Sequence, residues 1–567
     1  MPEASMNSRL GQRASSAARS RSGAADLVIR RTRVFTGGSN GLGPDAIALR
    51  GDRVVALGSA DVDALVGPGT DVVSAAGGLV LPGFQDAHVH APFAGHNMLR
   101  VWLNDDAGRD AYLAHIRRYA AENPEEEWIV GGGWAMEYFP GGTPRREDLD
   151  AVVPDRPVFL MNRDVHGAWV NSRALEIGGI DRFTPDPVDG RIERDPLTGD
   201  PAGTLHEGAA YSFNSRHVPL PDRDTWESAI LVAQEHLHRL GVTGWQDAWV
   251  TPATLAAYGS LAEAGRLTAR VVGALWWDRH RGTEQIPELL SQRESGQAGG
   301  FHPTTVKIMA DGVMENYTGA LLEPYCDGCG GRTDNYGLSY VDAEELAVAL
   351  CELDRHGFQV HMHAIGDRAA RDCLDAVATA RAANGMNDLR HHIAHLQLVQ
   401  PEDLPRFAEL GVVANCQAYW AQSEPQMDDL TIPFLGSGRA RLQFPFGDLA
   451  RHGTRLAMGS DWAVSTADPL KQIEVAVTRT DPSRRGTPAF LPEQALDVET
   501  ALRAFTAGSA YVNHDGEGGN LLVGARADLA VLDHDILADP EALPADANVR
   551  MTVAAGRVVH RDESLDP

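Results

Sequence analysis

Short apolar runs of strand length recur along most of the chain and alternate with longer amphipathic stretches. The runs are rich in β-branched residues and are bounded by glycine, proline or polar residues, a pattern that predicts β-strands. The stretches TWESAILVAQEHLHRLG and DAEELAVALCELDRHG carry apolar residues at helical spacing and end in glycine, as helices often do. Strands that alternate with helices predict βα units around a parallel sheet.

Eight of these runs are predicted to be the strands of a (β/α)8 barrel, each ending in a polar or metal-binding residue. They cover residues 79–90, 242–250, 267–275, 304–312, 358–366, 391–397, 412–418 and 455–464. About 150 residues separate the first strand from the second, which is too long for a loop. This interval contains the strand-like runs EEWIVGGGW and RPVFLMNRD, so we expect an inserted subdomain over the barrel mouth.

The two ends of the chain share a different texture, in which short strands follow one another across turns. Runs such as DLVIRRTRVFTGG near one end and VRMTVAAGRVVHRD near the other are predicted to form one small β-sandwich; two unrelated flaps are the alternative. The fold class is therefore α/β, a TIM barrel with a composite β-domain and an insert after strand one. The expected boundaries are a disordered tail at 1–24, the β-domain at 25–82 and 514–567, the barrel at 83–96 and 216–513, and the insert at 97–215.

Charge and composition narrow the range of partners. Among 567 residues, 78 acidic side chains outnumber 50 basic ones, and a net charge of −28 predicts no binding to nucleic acid or anionic membranes. The first 24 residues are rich in Ser, Arg and Ala without an apolar core, which argues against a secretory signal. No window of 18 apolar residues exists, so we expect no membrane span and a cytoplasmic location.

The five cysteines fit a reducing compartment, because their number is odd and only two are close in sequence. Cys326 and Cys329 stand in CDGCGG, where a glycine-rich loop with reduced thiols is the preferred interpretation. A zinc site is the weaker alternative, since no second C-x2-C is present.

Imidazole and carboxylate side chains lie at the ends of several predicted barrel strands. Residues two apart on a strand share a face, so His88 and His90 in LPGFQDAHVH can bind one ion together. Such a pair alone is weak evidence, but ligand types at the ends of four different strands predict a metal site at the barrel mouth. The set is His88, His90, His361, His363, His395 and Asp461.

Lys307 lies between apolar neighbours in VKIMADG, where a charged ammonium is costly and its pKa is expected to fall. A neutral amine can form a carbamate with carbon dioxide and so bridge two metal ions; a snorkelling or ion-paired lysine is the alternative. Other enzyme classes lack their signatures, since we find no G-x-S-x-G elbow and no glycine-rich nucleotide-binding motif.

The motifs PGFQDAHVH, VKIMADG, HAIGDRA, AHLQLV and GSDWAV, in this order, resemble the amidohydrolase superfamily. More narrowly, WIVGGGW, HGAWVNSRAL and ALRAFTAGSAYVNH are similar to the third amidohydrolase family, which includes N-substituted formamide deformylases. The resemblance covers roughly residues 26–560. Ala394 and Ala463 depart from the commoner EHAQ and GSDWPV patterns, and the loop GVMENYTGAL also differs, but no ligand is lost.

The resemblance implies a role for each ligand. His88 and His90 correspond to the ligands of strand one, Lys307 to the carboxylated bridging lysine, and His363 and His395 to the ligands of a second metal. Asp461 corresponds to a ligand that also accepts the catalytic proton, and His361 is expected to support the ligands from outside the metal shell. One or two divalent ions, zinc first, are the implied cofactor, and a homodimer is the implied assembly.

The expected reaction is hydrolysis of a non-peptide C–N bond in a small amide by metal-activated hydroxide. An N-substituted formamide or an N-acyl amine is the leading substrate class. A carbamate, cyclic amide or ester substrate is the alternative within the enzyme class, and a non-catalytic scaffold is the alternative outside it. Substrate contacts are expected from the insert and the strand-end loops. The candidate residues are Trp134, Tyr138, His166 and Trp420, each of which also fits a packing role.

Overall fold

The computed structural model describes residues 23–38, 43–538, 542–563 and 565. The tail predicted over residues 1–24 lies outside this range, apart from Gly23 and Ala24. Within the described part of the chain the fold is the predicted α/β architecture, with a central barrel, a β-sandwich and an inserted sheet. The domain boundaries given above stay a prediction.

Eight parallel strands form the central barrel, and each overlaps one of the eight predicted runs. They are Phe84–Val89, Val242–Val250, Arg270–Trp276, Phe301–Met309, Gln359–Ala364, His392–His395, Val413–Cys416 and Leu456–Met458, and each pairs with the next in chain order. Strand eight and strand one are joined by backbone hydrogen bonds beyond the end of strand eight: Asp461 N donates to His88 O at 2.7 Å, and His90 N donates to Trp462 O at 2.7 Å.

The predicted first strand, 79–90, is two strands that belong to different sheets. Leu79–Pro82 pairs antiparallel with Leu529–Leu532 in the sandwich, whereas Phe84–Val89 pairs with barrel strand two. Gly83 is the break, and a Cβ there would lie 2.3 Å from the Thr243 hydroxyl. Both halves are buried at every position, so burial does not mark the change of sheet.

Helices cover the outside of the barrel and carry the caps expected from their sequences. The predicted helices are Arg223–Arg239, capped by Asp222, and Ala343–Arg355, capped by Asp342; Gly241 and Gly357 follow their ends with positive φ. The other barrel helices are Ala91–Met98, Pro252–Glu263, Ile286–Gly296, Asp367–Asn384, Leu404–Leu410, Ile432–Arg439, Phe446–Arg451, Pro469–Thr478, Val498–Arg503 and Ser509–Val512. None of the helices that the structure describes has the length and hydrophobicity needed to cross a lipid bilayer.

Strands from both ends of the chain build the β-sandwich, as predicted. One sheet contains Arg53–Leu57, Ala46–Arg50, Leu27–Arg30 and Asp71–Ser74; the other contains Arg33–Val34, Leu79–Pro82, Leu529–Leu532, Val549–Ala554 and Arg557–Arg561. The helix Ser59–Asp63 follows Arg53–Leu57. Apolar side chains of both sheets, among them Ile29, Ile47, Val531 and Met551, share one buried cluster.

A mixed six-stranded sheet forms the insert between barrel strands one and two. Its strands are Val101–Trp102, Ile129–Trp134, Val158–Asn162, Gly167–Val170, Gly190–Arg194 and Pro201–Glu207, and its helices are Arg109–Glu122, Arg146–Asp150, Ser172–Gly178 and Gly208–His217. The loop before Gly167 and the end of Pro201–Glu207 reach the barrel mouth, where Asn316 Nδ2 donates to His166 O at 3.1 Å and to Glu207 Oε1 at 3.2 Å.

Candidate metal centre

Three predicted ligands converge at the mouth of the barrel. Asp461 Oδ1 lies 3.2 Å from Nε2 of both His88 and His90. In the part of the chain that the structure describes, these three buried residues bring one potential ligand atom each to within 4.8 Å of one another. Two imidazole nitrogens and a carboxylate oxygen at this separation form a suitable set for a divalent cation.

The backbone around strand one explains why these three side chains meet. Asp86 Oδ1 accepts from the backbone N–H groups of His88 and Ser460, each at 3.0 Å, so it ties strand one to the segment after strand eight. Asp461 itself has a φ of +55°, a left-handed conformation that is uncommon for residues other than glycine. Residues in such conformations are often found at functional sites. This turn carries the Asp461 side chain out of strand eight and towards His88.

The other three predicted ligands lie beside this group on strands four, five and six. On strands four and five, Lys307 pairs with His361, and Met309 pairs with His363 two residues further on. On strand six, His395 pairs with Ala364 of strand five. The ring centroids of His363 and His395 are 4.5 Å apart, and those of His395 and His88 are 4.8 Å apart. His395 Nδ1 is 3.9 Å from Asp461 Oδ2, so this second cluster adjoins the first.

Burial sets the protonation states that metal binding needs. It lowers the pKa of His88, His363 and His395 well below the usual range, with neighbouring cationic groups adding to the effect. These rings are therefore neutral and present lone pairs. Burial alone would raise the pKa of Asp461, but its close contact with His90 and the electrostatic influence of His395, His90 and Lys307 lower that pKa, so the carboxylate is ionised.

Lys307 is 2% exposed, and burial lowers the pKa of its amine to about 7. The charge of Asp461 opposes this shift only in part. A neutral amine is therefore available near neutral pH, which is the form that reacts with carbon dioxide. Its Nζ is 3.5 Å from His361 Nε2.

Unpartnered atoms support the fit of a cation. Asp461 Oδ1 is buried and accepts no hydrogen bond among the described residues, although it faces two imidazole nitrogens; His90 Nδ1 is also buried without a partner. Leaving buried polar atoms unpaired costs about 1–3 kcal/mol each. A divalent cation between the ring nitrogens and the carboxylate would satisfy Asp461 Oδ1, so the residues present fit such an ion.

Asp311, at the end of VKIMADG, supports His363 and was not predicted. Its carboxylate accepts from His363 Nδ1 at 3.1 Å and from the backbone N–H groups of Ala320, Ile365 and Gly366. This contact places the proton of His363 on Nδ1 and leaves Nε2 free as a ligand atom. The only sequence signal was an Asp-Gly turn directly after the lysine strand.

A cavity that opens to solvent lies over the candidate metal-ligand groups. His363, His395 and Asp461 form part of its lining, and His166 and Trp420 line it further out. Apolar side chains and carboxylates contribute the remaining wall, namely Val313, Ile365, Met427, Phe444, Val464, Asp164, Glu315 and Glu424, together with Gln397 and Gln426.

The four predicted substrate residues separate into two pairs. His166 and Trp420 line the cavity, whereas Trp134 and Tyr138 do not. The Trp134 indole is buried in the core of the insert, where Nε1 donates to Leu160 O at 2.8 Å. Tyr138 is 42% exposed and packs edge-on against Tyr112. Substrate contact by Trp134 and Tyr138 stays a prediction.

Glu207, at the end of the last insert strand, holds His166 in place. Its Oε2 is 2.8 Å from His166 Nδ1, and its Oε1 accepts from the Thr318 hydroxyl at 2.8 Å. Burial would lower the pKa of His166, but the Glu207 charge and hydrogen bond outweigh it and raise that pKa to about 9. Sequence reasoning missed Glu207, because an acidic residue after a strand carries no spacing that identifies its partner.

The predicted thiols are free. All five cysteines are unpaired, with Cys326 partly buried and Cys329 exposed. Neither belongs to the group of potential metal ligands found among the described residues.

Comparisons with known proteins agree with this geometry. The sequence profile described as "Amidohydrolase family" matches residues 71–560. Protein LONG AFTER FAR-RED 3 of Arabidopsis thaliana is 31% identical over 90% of this chain and 87% of its own. N-substituted formamide deformylase of Arthrobacter pascens is 28% identical over 90% of this chain and 94% of its own. Putative amidohydrolase YtcJ of Bacillus subtilis is 29% identical over 87% of this chain and 91% of its own.

Solved structures give the same answer for the fold. An uncharacterised metal-dependent hydrolase of Pyrococcus horikoshii superposes with a TM-score of 0.71 at 25% identity, covering 92% of this chain and 99% of that one. Another, from Pyrococcus furiosus, has a TM-score of 0.68 at 26% identity over 90% and 99%. The profile match over residues 71–560, the barrel and these relatives together show that the chain belongs to the amidohydrolase family and is a hydrolase.

Proposed function

We propose that the protein hydrolyses a non-peptide C–N bond of a small amide with the help of a divalent metal, zinc first. The observation that carries this proposal is the group of His88, His90 and Asp461, whose unpartnered carboxylate oxygen faces two imidazole nitrogens at the base of a cavity. An N-substituted formamide or an N-acyl amine is the leading substrate. The relative named as an N-substituted formamide deformylase supports this choice.

One or two ions would be held by the six predicted ligands. His88, His90 and Asp461 would hold the first, and His363 and His395 the second, with a carboxylated Lys307 between them. A cation bound there supplies Lewis acidity, which lowers the pKa of a coordinated water and polarises the substrate carbonyl.

Asp461 is proposed to move the proton. Hydrolysis transfers one proton from water to the departing nitrogen while the carbonyl carbon gains an oxygen and the C–N bond breaks. A group that serves both steps must be in its basic form before the reaction and must lie next to the attacked carbon. Asp461 meets this requirement, because it is ionised, lies at the metal-ligand group and lines the cavity.

The cavity walls narrow the substrate. Trp420, Phe444 and Met427 offer an apolar surface to an N-substituent. Asp164, Glu315 and Glu424 add carboxyl groups, which disfavour an anionic substrate where they are ionised, while the His166 cation acts in the opposite direction. His166 projects from the insert into the same cavity, and we propose that it contacts the substrate's acyl group.

The proposal predicts that His90→Ala and Asp461→Ala abolish hydrolysis, with a loss of kcat/KM of at least about 10³-fold, while each variant stays folded. The test is a panel of formamides, N-acyl amines, carbamates, cyclic amides and esters, assayed with enzyme loaded with Zn²⁺. Lys471→Arg, a charge-preserving change at an exposed residue outside the ligand set, is the control and should leave activity unchanged.

The panel also separates the alternatives. Preferred turnover of a carbamate, cyclic amide or ester would move the substrate within the family. Full activity in His90→Ala or Asp461→Ala would refute the site assignment, and failure of wild-type protein on every class would favour the scaffold reading.

A further inference from the structure

A chain of buried hydrogen bonds crosses the barrel interior and ends on His88. It begins at Gln359 on strand five, whose Nε2 lies 2.8 Å from Arg390 O and 2.9 Å from Val512 O. Backbone carbonyls only accept hydrogen bonds, so the amide nitrogen must face them. Gln359 Oε1 therefore points the other way and accepts from the Thr305 hydroxyl at 2.7 Å and from Gln246 Nε2 at 3.1 Å.

The orientation of Gln359 fixes that of Gln246 on strand two. With its nitrogen committed to Gln359, Gln246 presents Oε1 to His361 Nδ1 at 2.7 Å and to His392 Nε2 at 3.0 Å. An amide oxygen can only accept, so both of these ring nitrogens carry hydrogen.

A second route gives the same assignment for His392. Asn415 Nδ2 donates to Ala87 O at 2.8 Å, so its nitrogen side is fixed by a backbone carbonyl as well. The same Nδ2 lies 3.2 Å from His392 Nδ1, which must then be the accepting nitrogen. His392 carries its hydrogen on Nε2, in agreement with the direction set through Gln246.

The chain then passes through His361 to the metal ligand. His361 is fully buried, and with hydrogen on Nδ1 its Nε2, which also lies 3.5 Å from the Lys307 amine, is the accepting nitrogen. That atom is 2.9 Å from His88 Nδ1, which must donate to it. His88 thus carries its hydrogen on Nδ1 and turns a bare Nε2 towards Asp461 Oδ1, 3.2 Å away.

We propose that Gln246 is a positioning residue: held by Gln359 and acting through His361, it fixes the tautomer of His88 so that Nε2 is free to bind the metal. The inference rests on the proposed metal site and adds to it the selection of the ligand atom. A bare imidazole nitrogen and a carboxylate oxygen repel each other unless a cation lies between them. This series of hydrogen bonds therefore keeps the site in the form that binds an ion and disfavours a hydrogen bond from His88 to Asp461.

The variant Gln246→Met tests this step, because it keeps the length of the side chain and removes the acceptor of His361. His361 can then carry its hydrogen on Nε2 and donate it to His88 Nδ1. His88 in turn would carry its own hydrogen on Nε2, the atom that should bind the metal. We expect the Kd for Zn²⁺, measured on full-length protein by competition with a chromophoric chelator, to rise about 10–100-fold. Thr305→Val is the matched control. It removes a buried hydrogen bond to Gln359 that is not part of the series leading to His88, and it should leave the Kd for Zn²⁺ within about twofold of the wild-type value.

Equal zinc affinity of Gln246→Met and Thr305→Val would overturn the inference while leaving the proposed function intact. Wild-type protein that binds no zinc would overturn both. If Gln246→Met does not fold, the tautomers are read directly on metal-free wild-type protein labelled with ¹⁵N-histidine, with signals assigned through His361→Asn. Hydrogen on Nδ1 of both His88 and His361 is the expected result, and hydrogen on Nε2 of His88 contradicts the proposal.

Discussion

At the scale of single residues, strand alternation predicts which side chains share a face but not what each of them does. His88 and His90, like His361 and His363, are two apart, and the structure places both pairs inside the barrel mouth. Within strand five, His363 lines the cavity while His361 contacts Gln246, a difference that the spacing does not contain. Gln246 and Asp311 were not predicted either, because a buried polar residue gives no sequence mark of its distant partner.

The carboxylation of Lys307 belongs to this scale and has a clean test. The chain contains two lysines, Lys307 and the exposed Lys471. With ¹³C-bicarbonate at pH 8, wild-type protein should show one slowly exchanging carbamate signal by ¹³C NMR, because the Lys307 amine is largely neutral there. The signal should weaken as the pH falls below about 7, where the amine becomes protonated.

Lys471→Arg should keep this signal and Lys307→Arg should lose it. A signal that survives in Lys307→Arg, or none in wild-type protein loaded with zinc, would show that Lys307 is not carboxylated.

At the scale of elements, the sequence predicts the eight barrel strands because each is a short apolar run between turn residues. It does not predict where strand one begins or where strand eight ends. The run 79–90 crosses from the sandwich to the barrel at Gly83 and stays buried on both sides of it. The run 455–464 leaves the ladder after Met458, and the left-handed turn at Asp461 that follows depends on contacts with strand one.

Gly459, directly after strand eight, lies close against strand one. A Cβ there would lie 2.5 Å from His88 Cβ and 2.6 Å from His88 N, so any side chain must push the two segments apart. Gly459→Ala should destabilise the protein by about 1–3 kcal/mol, as overpacking in a close-packed core does. It should also weaken zinc binding, because His88 and Asp461 separate.

Chemical unfolding and zinc titration measure the two effects. Gly453→Ala is the control for zinc binding, since a Cβ there meets no atom within 4 Å, although its positive φ lowers stability. Unchanged zinc affinity in Gly459→Ala would show that this close approach does not set the ligand geometry.

At the scale of the whole molecule, the cavity exists only because separate parts of the chain assemble around it. The insert contributes Asp164 and His166, the loop after strand four contributes Glu315, and the loop after strand seven contributes Trp420 and Glu424. The sequence predicts that the insert covers the mouth. It does not predict that three carboxylates from different segments meet there, because their convergence depends on the tertiary fold.

These carboxylates should make the enzyme discriminate by substrate charge. Two charges about 8–16 Å apart repel by about 1–2 kcal/mol at an effective dielectric constant near 20, so each ionised group disfavours an anionic substrate roughly tenfold. We expect kcat/KM for an N-formyl amine to exceed that for an analogue bearing a carboxylate by at least about tenfold.

The pH dependence of this discrimination depends on Glu424. Burial raises the pKa of Glu424 to about 7; the Arg163 charge opposes this shift, and nearby acidic groups add to it. This carboxyl group therefore ionises as the pH rises from 6 to 8. The ratio of the two kcat/KM values should therefore be larger at pH 8. Glu424→Gln should reduce it and flatten its pH dependence, whereas the surface change Glu402→Gln should preserve it. Equal ratios in wild-type protein and Glu424→Gln at both pH values would show that Glu424 does not select the substrate.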